Sequence, residues 1–173
     1  MIYKSKEVII RPLEKSDLNM DYQEWMYDPV ATQFNSHGNF PMDLEDVTKF
    51  LDSIKFKQKI VWSIFFKDIY IGNAALQDFN WIVRNCEVAI FIGDKNYWGK
   101  GIGKIVIEML LMHGFKLNLH KIYLGTAESN KGMIKIAKNL GMLLEGKLRE
   151  HVFLDGGYQN VLRYGILNEE ENI

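Results

Sequence analysis

One cysteine, Cys86, in 173 residues excludes an internal disulfide and any cysteine-built zinc site, and such scarcity fits a reducing compartment. Net charge is nearly absent. Lysine plus arginine (21) almost cancels aspartate plus glutamate (22), so no overall field recruits nucleic acid or an anionic membrane. No apolar run approaches the ~20 residues a membrane helix needs. Lys4, Lys6 and Glu7 interrupt the apolar start, so no secretory signal is expected and the chain reads as cytoplasmic. No repeat, low-complexity tract or linker divides it. At 47% hydrophobic content, residues 1–173 are expected to form one domain with a substantial core. Two familiar phosphate loops are missing as well: neither Gly-x-x-x-x-Gly-Lys-Ser/Thr nor Gly-x-Gly-x-x-Gly occurs, which argues against nucleotide hydrolases and Rossmann dehydrogenases.

What is present is a strand–helix alternation. Val8 to Leu13 reads as a first strand, ended by Pro12 and the Ser16-Asp17 cap signal, and a helix follows to about Asp28. Pro29 and Pro41 bracket an irregular stretch containing Asn35-Ser36-His37-Gly38-Asn39. Asp43 is placed to cap a helix carrying Leu44, Val47, Phe50, Leu51 and Ile54 on one face. Ile60–Phe66 and Ile69–Leu76 read as a hairpin about Lys67-Asp68. Glu87–Ile92 then reads as a strand, followed by a helix to about Phe115, a strand at Ile122–Gly125 and a helix over 130–140. Strands near Leu148–Leu154 and Tyr158–Leu167 close the chain around Asp155-Gly156-Gly157. Hairpin strands followed by alternation predict an α/β (α+β) fold with a mixed sheet rather than a doubly wound parallel one.

The most informative stretch is Asp94-Lys95-Asn96-Tyr97-Trp98-Gly99-Lys100-Gly101-Ile102-Gly103-Lys104. Upstream, Val88 to Ile92 is a continuous apolar run, the pattern of a strand covered on both faces. Downstream, Ile102, Ile105, Val106, Met109 and Leu110 recur at helical spacing. The first turn of such a helix leaves backbone N–H groups without partners at the positive end of its dipole. Gly99, Gly101 and Gly103 let that backbone approach a pyrophosphate, and Lys100 and Lys104 add charge. Simple turn chemistry accounts for a Gly-x-Gly-x-Gly taken alone.

Order and context add to this, and together they resemble the GNAT superfamily of acyl-CoA N-acyltransferases over almost the whole chain. Its signature, Gln/Arg-x-x-Gly-x-Gly/Ala, is matched by Trp98-Gly99-Lys100-Gly101-Ile102-Gly103 except at the first position. Leu119 to Leu124 resembles the family's fifth strand, Glu128-Ser129-Asn130 its Asn-led helix start, and Leu140-Gly141-Met142 the end of that helix. Glu145 to Glu150 and Asp155 to Val161 resemble the final hairpin of the branch holding ribosomal-protein N-terminal and spermidine acetyltransferases. The resemblance implies a mostly antiparallel sheet whose middle strands splay apart, with acetyl-CoA as co-substrate in the cleft and no metal. It also implies donor contacts from Ile90, Phe91, Ile92, Trp98, Gly99, Lys100, Gly101, Ile102, Gly103, Lys104 and Asn130.

Acetyl transfer needs a neutral amine. Holding a lysine-like amine (pKa ~10.4) neutral at pH 7 costs about 4.6 kcal/mol, against about 1.4 for an α-amino-like group near ~8. Glu87, at the start of the strand leading to the glycine loop, is the candidate general base, acting through water; a strand-end glutamate is otherwise solvated or salt-bridged. Asn130 reads as an N-cap or a ligand to the pantetheine arm, and the two are compatible. Many relatives place a tyrosine, acid to the departing thiolate, where this chain has Ala137. Tyr123, Tyr158 and His151 are substitutes, and His37 is a candidate acceptor contact. His113 and His120 read as structural and Cys86 as buried. Trp25, Trp62 and Trp81, with Phe34 and Phe40, either line an acceptor pocket or pack the core.

The acceptor is expected to be a small-molecule primary amine. The Phe34-Asn35-Ser36-His37-Gly38-Asn39-Phe40-Pro41 segment and the Trp98 variant resemble GNAT proteins of bacterial surface-sugar biosynthesis, which implies a nucleotide-linked amino sugar. The alternatives are a polyamine held by Glu24, Asp28, Glu45, Asp46 and Glu87, a protein N-terminus, or a non-catalytic acyl-CoA-binding module. The closing hairpin is a candidate homodimer edge.

Overall fold

The computed structural model describes residues 1–18, 20–35, 45–46, 49, 54 and 58–170. Eight strands form one sheet: β1 (Tyr3–Ser5), β2 (Val8–Pro12), β3 (Lys59–Phe66), β4 (Ile69–Asn80), β5 (Asn85–Ile92), β6 (Lys121–Ala127), β7 (Leu143–Leu154) and β8 (Gly157–Leu167). Their order is β1-β2-β3-β4-β5-β6-β8-β7. Every neighbouring pair is antiparallel except β5–β6. Helices α1 (Met20–Tyr27), α2 (Ile102–Lys116) and α3 (Lys131–Asn139) are present among the described residues. The mixed, mostly antiparallel sheet is the expected one.

Parallel pairing between β5 and β6 needs a crossover, and α2 supplies it. The helix packs on the sheet face that carries Val8, Ile10, Trp62, Ile64, Leu76, Cys86 and Val88. Its buried set is wider than the expected stripe, because Ile107, Leu111 and Phe115 are buried too, while Ile105 is only partly covered. A helix pressed between a sheet and other core segments hides more of its circumference than one stripe. On the opposite sheet face, among the described residues, Leu18, Tyr22 and Met26 pack with Trp25, Tyr70 and Phe91. Buried Asp17 fixes the approach to α1, accepting from Arg11, from Ser63 Oγ at 2.6 Å and from the Glu14 amide at 2.9 Å. The helix expected from Asp43 to Ile54 lies outside the described residues, apart from Glu45, Asp46, Lys49 and Ile54.

Three boundaries differ from those expected. β1 pairs over only three residues, too few for periodicity to show. β4 runs on to Asn80 past a bulge between Gln77 and Asn80. β7 begins at Leu143 instead of Leu148, through two register shifts against β8. Bulges interrupt the period-two pattern on which strand recognition depends.

Candidate active site

The parallel ladder between β5 and β6 is short. It pairs Asn85 with Lys121, Cys86 with Ile122 and Glu87 with Tyr123, and stops. β5 stays on β4 as far as Ile92, and β6 stays on β8 as far as Ala127. The sheet therefore opens between its two middle strands just beyond Glu87. A cleft of about 1320 Å³ occupies the opening, lined by Val88 to Ile92, Leu124 to Ala127, the α2 N-terminus and α3.

Antiparallel pairing alternates between residues that bond across the ladder and residues whose backbone groups face away. The Gly93 amide donates to Ile71 O at 3.0 Å, while Ile92 lies opposite Gly72. This phase sends the backbone groups of Ile90 and Ile92 into the gap. Phe91, opposite Asn73, turns its amide to β4, while the residue itself lines the cleft. Trp98 takes one of the gap-facing groups: its Nε1–H donates to Ile92 O at 2.8 Å. The tryptophan that replaces the signature's Gln/Arg thus ties the loop to the end of β5.

Above the gap, α2 starts without a side-chain cap. Gly99 and Gly101 have φ of +73° and +79°, and a Cβ added at either would meet nothing within 4 Å. Left-handed backbone explains why these two are glycine; the open space leaves the first-turn amides of Ile102, Gly103 and Lys104 accessible to an anion. Gly103 is different. It is buried, and a Cβ there would stand 3.1 Å from Ile136 Cδ1, so its lack of a side chain serves α2–α3 packing rather than ligand approach. Lys104 lines the cleft, paired with Glu108 at 3.0 Å. Lys100 lies outside the lining, its Nζ 5.1 Å from the Tyr97 ring centre. Asn130 caps α3, its Oδ1 accepting from the Met133 amide at 3.1 Å, and it also lines the cleft. The residues present suit a ligand with an amide-bearing arm and phosphates: free strand edge in the gap, helix amides and lysines beyond it.

Glu87 stands at the apex. Its Oε2 accepts from Gln77 Nε2 at 2.9 Å, and its Oε1 faces Gly125, whose missing side chain leaves room there. Side chains of Lys59, Gln77, Glu87, Tyr123 and Arg163 share one sheet face by register. Burial pushes the Lys59 ammonium below its usual range, opposed by Asp78 and Glu87. Burial, then the Glu87 charge, pushes the Tyr123 phenol up. Gln77, Lys59 and Arg163 were not singled out from sequence, because the β4 bulge conceals which residues face Glu87.

Of the acid substitutes for Ala137, His151 lines the cleft, whereas Tyr123 and Tyr158 do not; Tyr158 packs edge-on to Phe153 and is exposed. Ala137 itself is fully buried. Cys86 is also fully buried, its thiol pushed up to about 12 by burial and then by Glu87. His113 is buried between Tyr3 and Trp62, with Nδ1 2.7 Å from Tyr3 OH. Trp62 is core, Trp81 stacks on Phe79, and Trp25 packs on Tyr70; of the described members of the aromatic set only Phe34 lines the cleft. His37 and Phe40 lie outside the described residues. Among the described residues no group of three His, Cys, Asp or Glu is arranged to hold a metal, and no helix is long and apolar enough to cross a membrane.

The fold is defined by a sheet split at its parallel joint, with an uncapped helix N-terminus beside the split. Residues 7–143 match the acetyltransferase (GNAT) domain family, and the chain belongs to that family. It is 38% identical to the spermidine N(1)-acetyltransferase of Vibrio cholerae over 101 residues, 58% of each chain. It is 33% identical to that of Escherichia coli over 100 residues, 57% of this chain and 53% of the other. These alignments span little more than half of the curated relatives' length. The crystal structure of a Vibrio cholerae spermidine N-acetyltransferase with CoA and spermine superposes with a TM-score of 0.85 at 27% identity, covering 95% of this chain and 97% of that one.

Proposed function

We propose that the protein is an acetyl-CoA-dependent N-acetyltransferase acting on a primary amine of a small molecule. The observation that carries this reading is the gap itself: a free β5 edge continuous with an uncapped helix N-terminus, and a carboxylate at the apex. Acetyl-CoA supplies the activated acyl group as a thioester. The chain's own residues seat it, with the amides of Ile102, Gly103 and Lys104 at the pyrophosphate and the Ile90 and Ile92 groups along the pantetheine arm. A backbone N–H held in this gap also suits the oxygen on which negative charge develops. Glu87, hydrogen-bonded to Gln77, accepts the proton that the amine sheds, directly or through water. With Ala137 in place of a phenol, CoA departs as thiolate, tolerable for a thiol of pKa ~8.5, or takes a proton from His151 or water.

The names of the relatives support a polyamine as acceptor, and none of them speaks for a nucleotide-linked amino sugar. The test is CoA-thiol release from acetyl-CoA against spermidine, amino sugars, amino acids and peptide N-termini. Saturable, amine-dependent release supports the enzyme reading. Tight acetyl-CoA binding with no release would favour a binding module.

A further inference from the structure

Of the five acids expected to cradle a polyamine, only Glu87 lines the cleft among the described residues. Glu24 is exposed and outside it. Asp28 is paired with Lys95 at 2.5 Å, and Glu45 and Asp46 lie 3.0 and 4.0 Å from Lys49. The cations of the lining divide into two groups. Lys104, Lys131 and Lys135 stand on α2 and α3, the side that suits CoA phosphates. Lys59 and Arg163 stand on the sheet face that carries Glu87, away from the glycine loop.

Arg163 is the sharper signal. It is directly opposite Gly125 in the β6–β8 register, so no side chain stands directly across from it on that strand. Its guanidinium lies over the Tyr123 ring at 4.8 Å, and no carboxylate is within ion-pair distance of it among the described residues. An arginine lying over an aromatic ring keeps N–H groups for a carboxylate or phosphate. Lys59 stands on the other side of Glu87, through Gln77 in the same cross-strand row, with Asp78 and Glu87 as the charges acting on it, so the anion-binding role falls to Arg163.

We infer that the acceptor carries, beside the amine that Glu87 serves, an anionic group of phosphoryl or carboxylate type, bound by Arg163. This rests on the acetyl-transfer reading for its kinetics but not for its binding. Arg163 is then a specificity residue that selects the acceptor without touching the donor.

Matched pairs test it: ethanolamine against phosphoethanolamine, glycinamide against glycine, glucosamine against glucosamine 6-phosphate, with spermidine alongside. The expected result is a kcat/KM higher by about tenfold or more for the charged member of at least one pair, the worth of one charge-assisted hydrogen bond. Whether the phosphate or the carboxylate pair shows it identifies the source of the anion. Arg163→Gln should abolish the preference, with the acetyl-CoA KM unchanged. Spermidine as the best acceptor, equal rates within every pair, or a preference that survives in R163Q would overturn the inference. Calorimetry of phosphoethanolamine and glycine with the CoA-loaded protein separates the two readings. Binding that R163Q weakens, with no turnover of any amine, keeps the anion site and removes the transferase; no binding of either removes the anion site whatever the kinetics.

Discussion

Glu87 combines a position at the apex of the gap with a single fixed hydrogen bond from Gln77, so its role can be probed with little disturbance. Glu87→Gln keeps size and shape but removes the proton acceptor. Its kcat should fall by about 10²-fold or more, with acetyl-CoA KM unchanged; an unaltered kcat would take the base role from this residue. His113 makes a separate prediction about stability. Burial, with help from nearby positive charge, lowers its pKa below 6.5. A lowered imidazole pKa in the folded state means that the unfolded chain binds the proton more readily. The stabilising contribution is therefore present above pH 6.5 and is lost as pH falls through the folded-state value. Melting curves between pH 7.5 and about 5 should show a loss that is shallower in His113→Gln; parallel profiles would contradict it. Cys86 was legible as buried because no Cys-His-Asp constellation surrounds it in sequence, and His113 as structural from its place near a helix end. The Gln77 bond to Glu87 was not, because it depends on a strand register.

Among the elements, the loop and α2 show how one motif serves two ends. Gly101 is glycine for its backbone angle and Gly103 for the closeness of Ile136, a division that the spacing Gly-x-Gly-x-Gly does not reveal. Gly101→Ala forces an L-residue into the left-handed region at about 1–2 kcal/mol. It should also raise the acetyl-CoA KM by displacing the first-turn amides. Gly103→Val overpacks the α2–α3 contact and should cost about 1–3 kcal/mol, read as a lower melting temperature, with a smaller effect on KM. If Gly103→Val alone changed KM, the packing role would be wrong. The strand–helix order was readable because β5, α2, β6 and α3 have clean apolar periods. The start of β7 was not: Leu143 and Leu144 are both largely exposed, so no alternation marks them, and the register shift before Gly146 breaks the pattern further.

At the scale of the whole molecule, the account turns on one sheet being opened at its parallel joint, so that a strand edge normally hidden in a core becomes a binding surface. Composition and motif led to the donor side, since the glycine loop is local in sequence. Lys59, Gln77, Glu87 and Arg163 stand on four strands, and only the fold brings them onto one sheet face. The decisive measurement is residue-resolved amide hydrogen exchange with and without acetyl-CoA. Ile90, Ile92 and Ile102 to Lys104 should exchange readily in the free protein and become protected when the donor binds. Ala89 and Phe91, already paired with β4, should be slow in both states. Protection on donor binding that spares Ile90, Ile92 and the α2 amides, or falls elsewhere in the sheet, would contradict the gap as the donor site.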